Sequence, residues 1–428
     1  MSDAPALQPL WAAVPVAARA RYLRRAAQAT LDARDATALL LATAAGRPRT
    51  EALLGEVLPS VAGLNALALE GPRFLAPRRV GRRPALRMGR RAVLLQAPRG
   101  VVSVAGGTAS PWQAPVLEVG AALLAGNAVR IAAAVPAVAE RIAGTFTRAG
   151  VPGELLAVEP GEDAGDPIGK GTMVVLDGAP LEHAVEGALW AAFAAGGRHP
   201  AAVGTAVVVP AVADAFAEGL VHRAQALRAG DPADPATDVA PVEDAEAVEA
   251  AVRAAEERGA RRLCGGARGP RTFAPVVLLG GPVDDALPGP VLTVVRATDD
   301  ADAVASVAGS GAPVSLWTGD RRRGERIARS IAAPVVWVDE HGFAPQAPSV
   351  RLARHVTPRL VASQPARLRS ARWPPYDPAL VGARAAAARL LQGRESERWE
   401  ALRDGAGPLA RTALRLALSA RSGRGRTH

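Results

Sequence analysis

The feature that most constrains this chain is a repeated alternation of short apolar runs with amphipathic segments. Gly100–Val101–Val102–Ser103–Val104–Ala105 is a β-branched run bounded by turn residues, which predicts a buried strand. A helix is expected over 118–125, a short strand over 128–131, a helix over 135–149 and a strand over 155–158. Strand and helix in alternation with short turns imply a parallel sheet with helices on both faces, an α/β fold. A second block repeats the pattern from Met173. Strands are expected at 173–176, 205–209, 275–279, 291–295, 314–317 and 334–338, and helices at 181–195, 211–229, 242–259 and 322–330.

Ahead of the first block, residues 16–33, 36–44 and 50–69 carry apolar residues at helical spacing with arginines on the other face. An Arg- and Pro-rich stretch, 72–91, separates them from the strands. After Val361 a linker holding Pro365, Pro374, Pro375 and Pro378 leads to helical segments at 379–391 and 408–420. A chain of 428 residues exceeds the usual size of one domain, so two are expected, 1–172 and 173–345. A candidate arm strand at 346–363 and a basic helical extension at 364–428 would follow.

Apolar residues make up 49% of the chain and charged residues 21%, which excludes a disordered polymer. No uninterrupted apolar run is long enough to cross a bilayer, and the N-terminus lacks a basic-then-apolar signal, so the cytosol is the expected compartment. The single cysteine, Cys264, excludes an intrachain disulfide, and no metal site is expected. The net charge of +10 is local: residues 351–428 hold 16 Arg against 5 Asp and Glu, a balance of +11, leaving the rest nearly neutral. Lys170 is the only lysine, and the preference for arginine matches a general bias toward Ala, Arg, Gly and Pro. No aromatic-rich or motif-bearing module accompanies the basic tail, so no nucleic acid is expected. Weak contact with an anionic surface is the tail's alternative use.

Several stretches, in one order, resemble the aldehyde dehydrogenases. Pro98–Arg99–Gly100–Val101–Val102 and Ser110–Pro111–Trp112–Gln113–Ala114–Pro115 resemble the family's strand and Pro-Trp-Asn-x-Pro turn. Residues 122–129 (ALLAGNAV), 146–153 (FTRAGVPG), 186–193 (EGALWAAF) and 226–232 (ALRAGDP) resemble later segments. Gly259–Ala260 with Cys264–Gly265–Gly266, then Gly289–Pro290–Val291 and Leu316–Trp317–Thr318, continue the series. No single piece is specific; their shared order over residues 90–340 is. The resemblance implies a Rossmann-type parallel-sheet cofactor domain, a second catalytic-type α/β domain and an oligomerisation arm. Residues 83–96 and 355–361 would supply the arm and pair a homodimer or a hetero-oligomer with an active relative.

The family's reaction needs a thiolate that adds to the aldehyde carbon, amide donors for the oxyanion, a nicotinamide that accepts hydride, and a carboxylate that activates water. The nucleophile closes a segment of the form Phe-x-Asn-x-Gly-Gln-x-Cys. Here the matching stretch is Phe193–Ala194–Ala195–Gly196–Gly197–Arg198–His199–Pro200, which puts a proline at the nucleophile position. His199 is expected to be a solvated loop histidine, and Cys264 an incidental thiol in a surface loop far from the site. Gln113 replaces the oxyanion asparagine, keeping an amide but moving it by about 1.5 Å. Asp166, in Asp166–Pro167–Ile168–Gly169–Lys170, is the nearest match to the base of Glu-Leu-Gly-Gly-Lys. The overlapping run 165–172 is one residue short of a phosphate-binding loop and carries Gly171 where a hydroxyl is required, so phosphate cradling is not expected.

The positions that would hold NAD or NADP are also altered. The lysine expected just after the Ala-Gly-Asn strand is replaced by Ala132–Ala133–Ala134–Val135, leaving Ala132 and Val135 without charge or donor. The Gly-x-Thr-x-x-Gly helix start should lie between Gly161 and Asp166, where four residues stand. The glutamate that grips the nicotinamide ribose aligns with Ala286, beside Asp285, and a Gly-Gly-x-Lys-x-Ser-Gly loop is missing after Phe343. No bound cofactor is therefore expected. The leading reading is a pseudoenzyme kept for assembly or regulation; the alternative is an active NAD(P)-dependent oxidoreductase that turns an aldehyde into an acid. A third reading places the segment 408–421 on an anionic membrane, against the simpler one of a tail helix packed on the body.

Overall fold

The expected alternation is present as two sheets. The computed structural model describes residues 4–80, 91–161, 170–199, 201–281, 287–342, 348–363, 374, 378–394, 396–398, 400 and 407. It divides into a first unit, residues 1–75 and 97–357, and a second, residues 76–96 and 358–428.

The first unit opens with helices α1 (Ala4–Ala13), α2 (Val16–Asp32) and α3 (Arg34–Ala45), then a continuous helical stretch. That stretch runs through α4 (Arg49–Glu51), a π-helical turn (Ala52–Val57) and α5 (Leu58–Leu75). By length and composition Arg49–Leu75 is apolar enough to cross a membrane, although Glu51, Glu56, Glu70 and Arg73 interrupt it. Its buried face of Ser60, Leu64, Leu67, Ala68 and Leu75 packs instead on α2 within the core of the first unit.

After β1 (Arg78–Arg79) and β2 (Arg91–Pro98) come β3 (Val101–Gly106), α6 (Gln113–Ala125), β4 (Ala128–Ala133), α7 (Pro136–Arg148) and β5 (Leu156–Pro160). Strands β3, β4 and β5 form a parallel three-stranded sheet with Val102 opposite Val129 and Ile131 opposite Val158. Helix α6 is apolar over most of its surface because most of it is covered; Val116, Val119, Leu123 and Leu124 are all buried, and Glu118 is paired with Arg351 and His355. It begins at Gln113 rather than at 118, since Pro115 in the first turn lacks only a hydrogen that has no helical partner there.

The chain then builds β6 (Gly171–Val175), α8 (Leu181–Phe193), β7 (Val203–Val208), α9 (Pro210–Ala226), α10 (Ala245–Glu257), β8 (Arg261–Ala267), β9 (Phe273–Leu279), β10 (Val291–Arg296), α11 (Asp300–Ala305), β11 (Val314–Trp317), α12 (Arg321–Ala328), β12 (Val336–Val338) and α13 (Pro348–Ala353). The sheet order is β12-β11-β6-β7-β10-β9-β8, parallel except for the edge strand β8. β7 is buried along its whole length, as a central strand with both faces covered must be. The turn expected around Cys264 is in fact β8: its outer residues alternate in exposure and pair with β9 through two irregularities in register. Cys264 is accordingly buried in the core and not on a surface loop.

In the second unit, β1, β2 and β13 (Val356–Ser363) form a three-stranded sheet in that order, followed by α14 (Pro378–Gln392). β13 is exposed along almost all of its length, including Leu360 and Val361. Residues 83–90 of the expected arm and the segment 408–420 lie outside the described residues.

Asn127, in the turn between α6 and β4, fastens the first sheet. Its Oδ1 accepts from the backbone N–H groups of Arg99 (2.7 Å) and Gly100 (3.0 Å), and its Nδ2 donates to the carbonyls of Ala122 (3.1 Å) and His355 (2.9 Å). The side chain is wholly buried, so water cannot replace it. Asn127→Ala should therefore destabilise the first unit by about 2–5 kcal/mol by stranding these groups, and Asn127→Asp should cost a comparable amount by turning an acceptor toward two carbonyls. Thermal unfolding monitored by circular dichroism checks both; an unshifted midpoint for either variant contradicts this role.

Candidate functional site

Helix α8 ends at Phe193, and the chain leaves it through three left-handed residues, Ala195 (φ 58°), Gly196 (φ 63°) and Gly197 (φ 76°). Gly197 is required twice over, because a Cβ there would also sit 2.0 Å from the Gly289 carbonyl oxygen. Ala195 has no such licence, and a left-handed alanine costs on the order of 1 kcal/mol. Its backbone N–H is held by both carboxylate oxygens of Glu51, each at 3.0 Å.

Glu51 is in turn bound by Arg47 at 2.7 Å, four residues earlier. Arg47 is 1% exposed. Its second Nη lies 3.7 Å from Glu56 and donates to the carbonyls of Thr108 and Ala109. Glu56 accepts from the backbone N–H groups of Trp112 (3.2 Å) and Gln113 (2.6 Å) and from the Ser110 hydroxyl (3.1 Å). Burial pushes its carboxyl above the ordinary range against the pull of Arg47 and these donors. The Trp112 indole N–H donates to Ser60 Oγ at 3.0 Å. A continuous chain of charge and hydrogen bonds thus joins the loop after α8 to the turn that carries Gln113. Glu51 and Glu56 reach it because the π-helical turn between α4 and α5 resets the helical register; such turns recur at functional sites.

His199 is half-buried rather than free on a loop. Its ring lies 4.7 Å from that of Trp190, and its Nδ1 accepts from the Ala201 N–H at 3.1 Å. Burial first, then Arg47 and His341, lower its pKa to about 3. His341 packs between Trp190 (5.6 Å) and Trp337 (4.6 Å). Its Nε2 is 2.9 Å from the Ala201 carbonyl, which can only accept, so Nε2 carries the hydrogen and Nδ1 accepts from the Ser315 hydroxyl. Burial lowers its pKa to about 4. A cleft of about 420 Å³ opens beside this cluster, walled by Thr50, Glu51, Leu54, Trp190, Phe193 and Ala194.

Of the positions singled out in sequence, Gln113 stands at the start of α6 and is tied to Glu56. Ala132 lies in β4 opposite Ala105 and Glu159, and Val135 precedes α7. Pro200, Asp166 and Ala286 lie outside the described residues, as does Asp285. Arg47, Glu51, Glu56, Trp190 and His341 were not anticipated. The one signal for Glu51 and Glu56 was acidic residues recurring in an otherwise apolar helical run. Cys264 is buried, with Sγ 3.8 Å from the Pro275 carbonyl and its thiol pKa raised by burial, the reverse of what a nucleophile needs.

A dinucleotide bound to a parallel sheet sits at the carboxyl ends of the strands. Here the chain leaving β5 closes on that end of β4: Gly161 N donates to the Ala133 carbonyl at 3.2 Å, and a Cβ at Gly161 would lie 2.6 Å from the Ala132 carbonyl carbon. β5 ends at Pro160 and β6 begins at Gly171, and residues 162–169 between them lie outside the described residues. Ala132, Ala133, Ala134 and Val135 offer no polar side chain. These residues do not fit a nicotinamide dinucleotide in the usual position.

The chain matches a family model described as "Aldehyde dehydrogenase family" over residues 1–170 and 168–349. It is 28% identical over 386 residues to a succinate-semialdehyde dehydrogenase [NADP(+)] of Deinococcus radiodurans, covering 77% of this chain and 79% of that one. In fold it is similar to an NAD-dependent benzaldehyde dehydrogenase from Corynebacterium glutamicum, with a TM-score of 0.75 and 22% identity over 84% of this chain and 88% of that chain. It is likewise similar to a succinate-semialdehyde dehydrogenase from Burkholderia pseudomallei, with a TM-score of 0.77 and 23% identity over the same shares.

His199 and His341 refuse protons that the unfolded chain accepts between their ordinary value of 6.5 and about 4. The stability they hold is complete above pH 6.5 and is lost as pH falls through that window, with a slope of up to about 1.4 kcal/mol per pH unit for each. Melting temperatures measured from pH 7.5 to 4 should drop below pH 6.5, and His199→Asn should remove about one proton of that slope. An unchanged slope in the variant contradicts the assignment to His199.

Proposed function

The chain belongs to the aldehyde dehydrogenase family, and from that premise we propose that it is a non-catalytic member whose fold is kept for assembly. The observation that carries this reading is Pro200. A proline there supplies no nucleophilic atom, and it also lacks the backbone N–H that could donate to an oxyanion at that position. Neither neighbouring group takes over. His199 is half-buried, its pKa is lowered, and it is engaged through Nδ1. Cys264 lies on β8, three strands from β7 in the sheet order, or roughly 14 Å at ordinary strand spacing. The poor fit of the β4 and β5 ends to a dinucleotide supports the same conclusion from an independent part of the chain.

Assembly is supported by the second unit's sheet, whose strand β13 carries exposed Leu360 and Val361 at an edge. Such an edge is suited to pairing with a second copy or with an active relative. The reading places the chain in the cytosol, without nucleic acid, and leaves weak contact with anionic surfaces to the Arg-rich tail. A second reading, an active NAD(P)-dependent aldehyde oxidoreductase, is favoured by the similarity to the Deinococcus radiodurans enzyme.

Two measurements separate them. Concentrated protein with NAD or NADP and a panel of aldehydes should give no absorbance of reduced nicotinamide, and Pro200→Cys should not restore it, because the cofactor positions are lost as well. Reduced nicotinamide formed by the unaltered chain establishes the second reading. Light scattering should give a mass above that of one chain, alone or mixed with an active relative; a strict monomer in both conditions removes the assembly role.

A further inference from the structure

Among the described residues β3 pairs with β4 alone, which makes it an edge of the first sheet. The carbonyls of Gly100 and Gly106 accept from the N–H groups of Ala128 and Ala134, so the even-numbered residues from 100 to 106 turn their backbone groups toward β4. The alternation of a parallel ladder then turns the N–H and C=O of Val101, Ser103 and Ala105 away from it. The side chains of Ser103 and Ala105 are exposed, while Val104 is buried on the face that meets α6. A groove of about 490 Å³ is walled by residues 101–105 of this strand with Arg99, Glu118, Arg354 and His355.

The charges in the groove are unequal. Glu118 is the one carboxylate among the described residues that line it. It is already bonded to Arg351 (2.6 Å), Arg354 (3.2 Å) and His355 Nε2 (2.6 Å). Arg99 and Arg354 are exposed. Asn127 ties the Arg99 N–H to the His355 carbonyl, which gathers these basic groups at the end where β3 begins. A surplus of positive charge is left once Glu118 is satisfied.

We propose that this edge takes up an extended acidic peptide of a partner protein, which adds as a further strand beside β3. The outward N–H and C=O groups of Val101, Ser103 and Ala105 supply the ladder. Arg99 and Arg354 hold carboxylates at the end where β3 begins, which fixes the register of the added strand. A second copy of this chain does not suit the groove through its own exposed strand β13 or the segment that follows. Residues 351–428 hold 16 Arg against 5 Asp and Glu, and like charges facing each other across an edge repel. The proposal goes beyond the assembly role of β13 and does not rest on it. β3 belongs to the first unit, and a strict monomer by light scattering leaves this site untouched.

The probe is a fluorescein-labelled heptapeptide, Asp-Asp-Thr-Val-Thr-Val-Thr, together with its reversed sequence, so that both strand directions are covered. One of the two should bind the full chain with a Kd below about 0.1 mM by fluorescence anisotropy at low salt, and more weakly as salt rises. Hydrogen exchange followed by mass spectrometry should slow over residues 101–106 when that peptide is present. Replacing both Asp by Lys, or N-methylating alternate residues in the phase that faces β3, should abolish binding; N-methylation in the other phase should keep it. Arg354→Glu should weaken binding at least about fivefold, since an exposed attraction becomes a repulsion. If that variant fails to fold, exchange protection in the unaltered chain decides alone. Failure of both directions to bind, or binding without protection over 101–106, overturns the proposal. Equal binding of both N-methylated phases also overturns it, because attraction by charge alone then accounts for the contact.

Discussion

A guanidinium withdrawn from water needs acceptors for its hydrogens, and Arg47 finds two carboxylates, Glu51 and Glu56, each of which holds a different loop. Through Glu51 it holds the strained Ala195 at the exit of α8. Through Glu56 it holds the amides of Trp112 and Gln113 at the entry of α6. Removing either carboxylate would leave a buried charge under-compensated, which is far more costly than losing a surface pair. The two loops that in this family present the reacting groups are therefore located by one buried cation on a third element.

This arrangement fixes the backbone of the two loops without calling on any reactive side chain. The ion chain reaches Gln113 through its backbone N–H and does not depend on its side chain. Packing is equally indifferent: Trp190, His341 and Trp337 fill the space beside the loop whether or not a thiol stands there. The cofactor side differs, because Gly161 lies on the end of β4 where a dinucleotide would need room.

Much of the fold was legible in sequence because central parallel strands must be apolar on both faces. Val203–Val208 and Val291–Arg296 stood out for that reason. What was hidden depended on tertiary cover. Cys264 and the glycines around it resemble a turn, but their pairing with β9 makes them an irregular edge strand. His199 reads as a loop histidine until Trp190 is placed against it. Helix α1 escaped notice because Pro9 and its short length mask its period. The link from Glu51 to Glu56 was hidden because a π-helical turn breaks the spacing from which a shared face would be inferred.

The central claim, that this chain has the family's fold without its chemistry, is tested most directly by isothermal titration of the full chain with NAD and with NADP. The account predicts heats of dilution only, for both nucleotides, at protein concentrations that would reveal micromolar binding. A saturable isotherm with either nucleotide would contradict it, and would mean that the end of β4 opens to admit a dinucleotide.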